Sequence, residues 1–237
     1  LLAQRGNLSE AEYFAREGLR QLLVRVGRSS PDTANALATL ATVLIEAGRF
    51  AEGSTLATAS INGYLSAGSV EESLSLLAAR RTLGEALVAQ RRWQDAAEVY
   101  ASMERGIDRD PVLASRLVLA NVGWGLALAN TGNAEAAVKQ LEGLVAVNRS
   151  RYGEEDYKTA EARGALAAAF AAKGDRDRAL TEFRAAVPVL LKSGRDVAGD
   201  ETGATRTLRR TFILEAYIEL LFELGQPGTK PGQFDLA

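Results

Sequence analysis

Five short polar turns, each closing an apolar stretch, recur along this chain: QRGNLSEA, EAGRFAEG, AQRRWQDA, NTGNAEAA and AKGDRDRA. Their pivots are Gly6, Gly48, Arg91, Gly132 and Gly174, separated by 42, 43, 41 and 42 residues. A period this regular marks a stack of like units, because self-similarity at a fixed interval of 20 to 50 residues is the signature of repeat architectures. A sixth stop, Leu224-Gly225, follows 51 residues later, and the excess falls in GRDVAGDETGAT, so 194–205 reads as an inserted loop.

The same offsets recur around each pivot. Eight residues before it stand Leu40, Leu83, Trp124, Leu166 and Tyr217, and seven before stand Ala41, Gly84, Gly125 and Ala167. A small residue beside a large one lets a facing helix approach while the large side chain fills the flank. Four before come Leu44, Leu87, Leu128, Phe170 and Leu221, one turn further along the same face. Five after come Ala11, Gly53, Ala96, Ala137 and Ala179, and nine after come Ala15, Ala57, Tyr100, Leu141 and Phe183. Each unit therefore reads as two antiparallel helices joined at the pivot, and the chain as all-α. Stops and caps predict helices over 8–27, 31–47, 50–66, 70–90, 93–106, 111–131, 134–150, 156–173, 176–193 and 206–224, with Pro31 and Pro111 in first turns. Pro188 should kink its helix, and Gly53 in place of Ala should loosen the second unit.

Composition removes many chemistries. With no Cys and no His, the chain holds no thiol nucleophile, no Ser-His-Asp triad and no Cys/His zinc site. Its 28 Lys+Arg against 30 Asp+Glu give a net charge of −2, without the basic excess that sequence-independent nucleic-acid or anionic-membrane binding needs. The uncharged windows 53–70 and 117–134 are interrupted by Ser, Thr, Gly and Asn and read as buried helices, not membrane spans. Arg-dominated basic residues with abundant Ala and Gly suggest a bacterial, GC-rich genome, compatible with a bacterial cytoplasm, although nothing in the chain addresses its compartment. The opening LLAQRG reads as the last turn of a helix, as in a piece of a longer protein.

The large-small pair, the Leu or aromatic one turn on, and the Ala after the turn resemble the tetratricopeptide repeat. The period near 42 resembles its kinesin-light-chain-type variant, as do VGRSSPDTANALATLATVLIEAG and YGEEDYKTAEARGALAAAFAAKG, each a Gly, a polar loop and then Thr-Ala opening the first helix. The resemblance spans residues 1–225, with 226–237 a linker or the start of a following region. It implies a right-handed α-α superhelix of about five helix pairs whose first helices line a concave groove, a surface suited to peptides or helices. The repeat register then places Asn35, Thr39, Thr42, Arg81, Glu85, Leu119, Val122 and Leu126 on that groove, mixed at one end and apolar around Leu119, Val122 and Leu126. Ala38, Ala78, Thr82, Gly123, Glu161, Gly164, Ala165 and Ala168 fall at inward positions too.

The expected function is a non-enzymatic protein-protein interaction scaffold, binding a peptide, a helix or a neighbouring domain, with no cofactor, metal, nucleic-acid or membrane partner. A carboxylate-clamping tetratricopeptide site needs several cationic or amide donors, and only Arg81 and Asn35 would serve here. Residues 176–237, from FRAAVPVLLKSG to the final FDLA, resemble the region preceding a caspase-like CHAT peptidase in bacterial proteins. That resemblance implies a regulatory or sensor module whose catalytic His and Cys lie outside this chain. A peptide-pheromone receptor and a hydrolase using paired carboxylates are further alternatives. The acidic clusters Glu154-Glu155-Asp156, Asp108/Asp110 and Glu71-Glu72 sit at helix starts, where acids favour the positive end of the helix dipole. Arg80-Arg81, Arg91-Arg92 and Arg209-Arg210 read as solvated faces or ion-pair partners.

Overall fold

A computed structural model describes residues 7–108, 121–196 and 203–225, without side chains for 193–196. Among them the chain is helical throughout: α1 (Leu8–Arg25), α2 (Pro31–Glu46), α3 (Phe50–Ser66), α4 (Leu74–Ala89), α5 (Trp93–Ile107), α6 (Val122–Asn130), α7 (Ala134–Tyr152), α8 (Tyr157–Lys173), α9 (Arg176–Asp196) and α10 (Ala204–Leu224). Gly6, Leu119, the start at Pro111, residues 197–202 of the expected loop 194–205 and the segment 226–237 lie outside the described residues, while 194–196 close α9 and 204–205 open α10.

The repeating stops are left-handed turns. Gly48, Gly132 and Gly174 have φ of +78°, +79° and +84°, and Arg91 has +55°. Only a residue in this region lets the chain reverse within two residues of a helix end, and glycine enters it without a Cβ clash. Arg91 is the one non-glycine to do so among the described residues. Gly27, Gly68 and Gly153 repeat the device after α1, α3 and α7. Two of these turns share a further bond: the buried hydroxyls of Thr33 and Thr159 donate to the carbonyls of Gly27 and Gly153, each at 2.7 Å. The Gly-loop-Thr-Ala segments are thus caps for the first helix of a pair.

The large-small rule has a direct structural cause. A Cβ on Gly84 would lie 2.5 Å from Tyr100 Cζ, and one on Gly125 would lie 2.5 Å from Leu141 Cγ. Position minus seven on one helix therefore receives the side chain at plus nine on its partner. Tyr100, Leu141 and Phe183 are fully buried as a result. Gly53 acts against expectation: a Cβ there would meet Ile45 Cγ1 at 2.5 Å, so the missing methyl brings α2 and α3 closer instead of loosening them.

Two other expectations need correction. The helix expected over 70–90 begins at Leu74, because residues 70–73 form a turn closed by a bond from the Ser73 amide to the Val70 carbonyl. The helix expected over 111–131 is not continuous through 121. Asn121 is extended (φ −135°, ψ 152°), and its side chain caps α6 by accepting from the Trp124 amide at 2.8 Å. A capping Asn competes for the backbone and favours a new helix start over a helix interior. Pro188 lies within the continuous helix α9.

Along the stack α2, α4, α6 and α8 pack side by side, each also against the second helix of the preceding pair. The second helices α3, α5, α7 and α9 make no comparable contact with one another among the described residues. First helices gathered and second helices splayed give a curved two-layer solenoid with α2, α4, α6 and α8 on its concave side. A contiguous core runs through it from Leu77 to Leu224.

Candidate functional site

The concave side is occupied by α10. By its stop and by Tyr217 this helix belongs to a sixth unit, and Tyr217 does pack on Phe183 of α9, ring centroids 5.0 Å apart. A regular first helix would touch only the pair before it. Instead α10 packs on α8 and reaches back to α4 and α2. Going along it, Arg206 lies over the Tyr157 ring at 3.5 Å, Arg209 donates to Glu161 at 2.9 Å, and Ile213 packs where Gly164 lacks a side chain. The ordered pairs 206 with 157, 209 with 161 and 213 with 164 show that α10 runs parallel to α8.

Its other face meets the start of the stack. Thr205 donates to Glu46 Oε1 at 3.1 Å, and a Cβ on Gly203 would lie 1.6 Å from Glu46 Oε2, so a side chain there would have to displace the Glu46 carboxylate. Phe212 meets Trp93 edge-on at 5.3 Å and lies under the Arg91 guanidinium at 4.7 Å. Arg91 also pairs with Glu215 at 2.5 Å, and Arg176 with Glu223 at 3.1 Å. Phe212 and Ile213 are buried, Ile213 completely. Burying each contributes roughly 1.5–3 kcal/mol relative to exposure.

A polar node lies beneath the helix. Glu161 is buried, and in its ion pair with Arg209 the two side chains are only 9% and 22% exposed. Burial works against the Arg209 charge, but Glu161 and Glu85 outweigh it and hold the guanidinium more firmly protonated than usual. Burial pushes the Glu46 carboxyl up from the ordinary carboxylate range, an effect reinforced by Glu85 and opposed by the Thr205 hydrogen bond and by Arg209. The hydroxyl of Tyr100 is fully buried, lies 2.9 Å from where a Gly123 Cβ would stand, and finds no hydrogen-bond partner among the described residues. Desolvation raises its pKa. Glu85, Val88, Gly123, Thr205, Arg209 and Phe212 are among the residues around a cavity of about 10 Å³. Small-molecule sites occupy roughly 300–1,000 Å³, so this is a packed contact and not a ligand pocket.

The residues expected on the groove do not form one surface. Asn35 and Thr39 line an open depression with Phe14, Leu19 and Leu22 of α1. Thr42 is exposed, its hydroxyl returning to the Ala38 carbonyl at 3.0 Å. Arg81 is exposed and pairs with Glu85 at 3.1 Å, while Glu85 itself faces α10. Val122 and Leu126 are 8% and 2% exposed, inside the same core as Phe212 and Ile213, so the expected open apolar patch is closed. Leu119 lies outside the described residues. Arg209 and Gly203 carried no periodic signal, and their partners lie 48 and 157 positions away in the chain, too far for any local pattern to announce. Two of the acidic clusters serve helix starts or their neighbours: Asp156 caps α8, Glu154 pairs with Arg149 and Arg163, and Glu71 pairs with Arg80, whereas Asp108 caps the C-terminal end of α5 and Asp110 lies outside the described residues.

Among the described residues no cluster of His, Cys, Asp and Glu is placed to hold a metal, and no helix is long and apolar enough to cross a membrane. No family model and no curated protein matches the chain. Solved structures do: a Podosopora anserina protein of nearly identical TPR-like repeats of kinesin-light-chain kind (TM-score 0.60, 21% identity), and a single-substitution variant of it (TM-score 0.61, 21% identity). Each alignment covers 82% of this chain and 92% of the other. The fold of this chain is therefore that of a tetratricopeptide-like repeat solenoid.

Proposed function

We propose that this chain is a protein-protein interaction scaffold whose concave groove takes an α-helix, with α10 as its occupant in the closed state. The observation that carries the reading is the seating of α10 itself: one helix spans α2, α4 and α8, with Ile213 filling the space left by Gly164. An amphipathic helix laid into a groove is a recurring recognition mode, and the chain supplies an example in cis. The scaffold does no chemistry in this reading. It presents or withholds a surface, and a partner gains access by competing with α10.

The test uses a fluorescent peptide of residues 204–224. A helix tethered to its own site competes at an effective concentration on the order of millimolar, so the parent chain should bind the peptide weakly. Phe212→Asp in the full chain, which sets a charge against Trp93, should expel α10 and strengthen peptide binding by on the order of 10²-fold, from the same effective-concentration argument. Equal binding to both chains, or none to the opened chain while its helical circular dichroism persists, contradicts the reading.

A further inference from the structure

We infer that the groove selects its partner by a guanidinium, so that the cognate ligand is an amphipathic helix carrying Arg with a Phe-Ile pair three and four residues on, the chemistry of Arg209, Phe212 and Ile213. The inference rests on the helix-groove reading above and adds the identity of the ligand's polar contact. Glu161 is 7% exposed and Glu85 half-buried on the first helices, and both face Arg209, with Glu46 at the N-terminal end of the same helix. In the described structure Glu161 accepts from Arg209 Nε at 2.9 Å. An occupant without a cation here would leave a buried carboxylate unpaired, and an uncompensated buried charge is strongly destabilising. Carboxylates at this depth therefore act against neutral helices as well as in favour of basic ones, which is how specificity is built.

Arg suits the site better than Lys. Its guanidinium is planar and more weakly hydrated than an ammonium, so it tolerates partial burial between carboxylates and apolar walls. The walls are present: Val88, Leu208 and Phe212 enclose the same contact. The apolar half of the motif is set by two missing side chains. A Cβ on Gly164 would lie 2.5 Å from Ile213 Cγ2, and Gly123 is held open beside the buried Tyr100 hydroxyl. Arg at one position with Phe and Ile three and four residues later places all three on one helix face, the face that α10 turns toward α4 and α8.

The experiment compares peptides of residues 204–224 bearing Arg209, Arg209→Lys and Arg209→Gln, each titrated into the Phe212→Asp chain. The Arg91→Gly chain, which removes the guanidinium that covers Phe212 and pairs with Glu215 without touching the core, serves as a second host if the first is poorly folded. The expected result is at least tenfold weaker binding for Arg209→Gln, an intermediate loss for Arg209→Lys, and collapse of the Arg-to-Gln gap in a host that also carries Glu161→Gln. Equal affinity for all three peptides overturns the guanidinium inference and leaves the helix-groove reading standing. Absence of binding by every peptide to both folded hosts overturns the two together.

Discussion

At the scale of single residues, glycine has two separate roles here. At the turns it supplies a left-handed φ. Inside helices it supplies room, and Gly84 and Gly125 are the clearest cases, each pressed by a large side chain of the partner helix. Gly143 is the contrast, a helical, exposed glycine with nothing among the described residues beyond its own helix within 4 Å of its Cβ position. Alanine at 143 should therefore stabilise the chain by up to about 1 kcal/mol through helix propensity alone. Alanine at 84 gains the same propensity but drives a methyl into the Tyr100 ring, and overpacking costs typically 1–3 kcal/mol, so its net effect should be destabilising. Thermal unfolding of the two variants reads this directly: opposite signs support the packing rule, and a shared upward shift in Tm contradicts it.

At the scale of helices and turns, Arg91 joins two demands. Its φ of +55° carries the strain of a side chain in a glycine conformation, roughly 1–2 kcal/mol. In return its guanidinium covers Phe212 and pairs with Glu215, fastening α10 to the α4–α5 turn. Arg91→Gly should then leave global stability within about 1 kcal/mol of the parent, because relief of backbone strain offsets the lost contacts. The amides of α10 should nevertheless exchange faster, while those of α4 and α5 are unchanged. Hydrogen exchange resolved by helix tests this, and unchanged protection of α10 would show that Arg91 does not fasten it.

The same scale explains what was legible beforehand. The turns at 48, 132 and 174 could be read because a left-handed helix stop favours glycine, and glycine at a fixed interval is visible; the turn at 91, where Arg stands, could be read from that interval and from its flanking residues. The small-large alternation could be read because both partners of each contact recur in every unit. The place of α10 could not. Tyr217 and Leu221 fit the register of any first helix, and the features that turn it inward, Gly203 against Glu46 and Arg209 against Glu161, occur once each. Only the departures hint at it: position minus seven of the sixth unit is Ile218 instead of Ala or Gly, and it is 64% exposed. Gly225 also closes α10 with φ −80°, not in the left-handed turn of the other units. Val122 and Leu126 were recognisable as apolar and inward, but whether an inward apolar residue is open or covered depends on how closely α4, α5, α7 and α8 pack around α6.

At the scale of the whole molecule, α10 converts an open stack into a closed one. Repeat proteins are held by nearest-neighbour contacts and can fray from either end. A helix that touches α2, α4 and α8 ties the first pair to the fourth, so opening the groove and loosening the solenoid become one event. Regulation by a competing helix would act through that coupling, its differential affinity for the open state setting how far the equilibrium moves.

The absence of cysteine from the chain makes the most direct test of this account a clean one. The Cβ position of Gly164 lies 3.5 Å from Ile213 Cβ, within the range that a disulfide spans. In the double variant Gly164→Cys/Ile213→Cys, mild oxidation of the folded protein should close this bond within a single chain, giving a monomer of increased mobility on a non-reducing gel and a tryptic peptide linking α8 to α10. Failure to form the bond, or its formation only between chains, would show that α10 does not lie in its own groove, and the account built on that seating would fall.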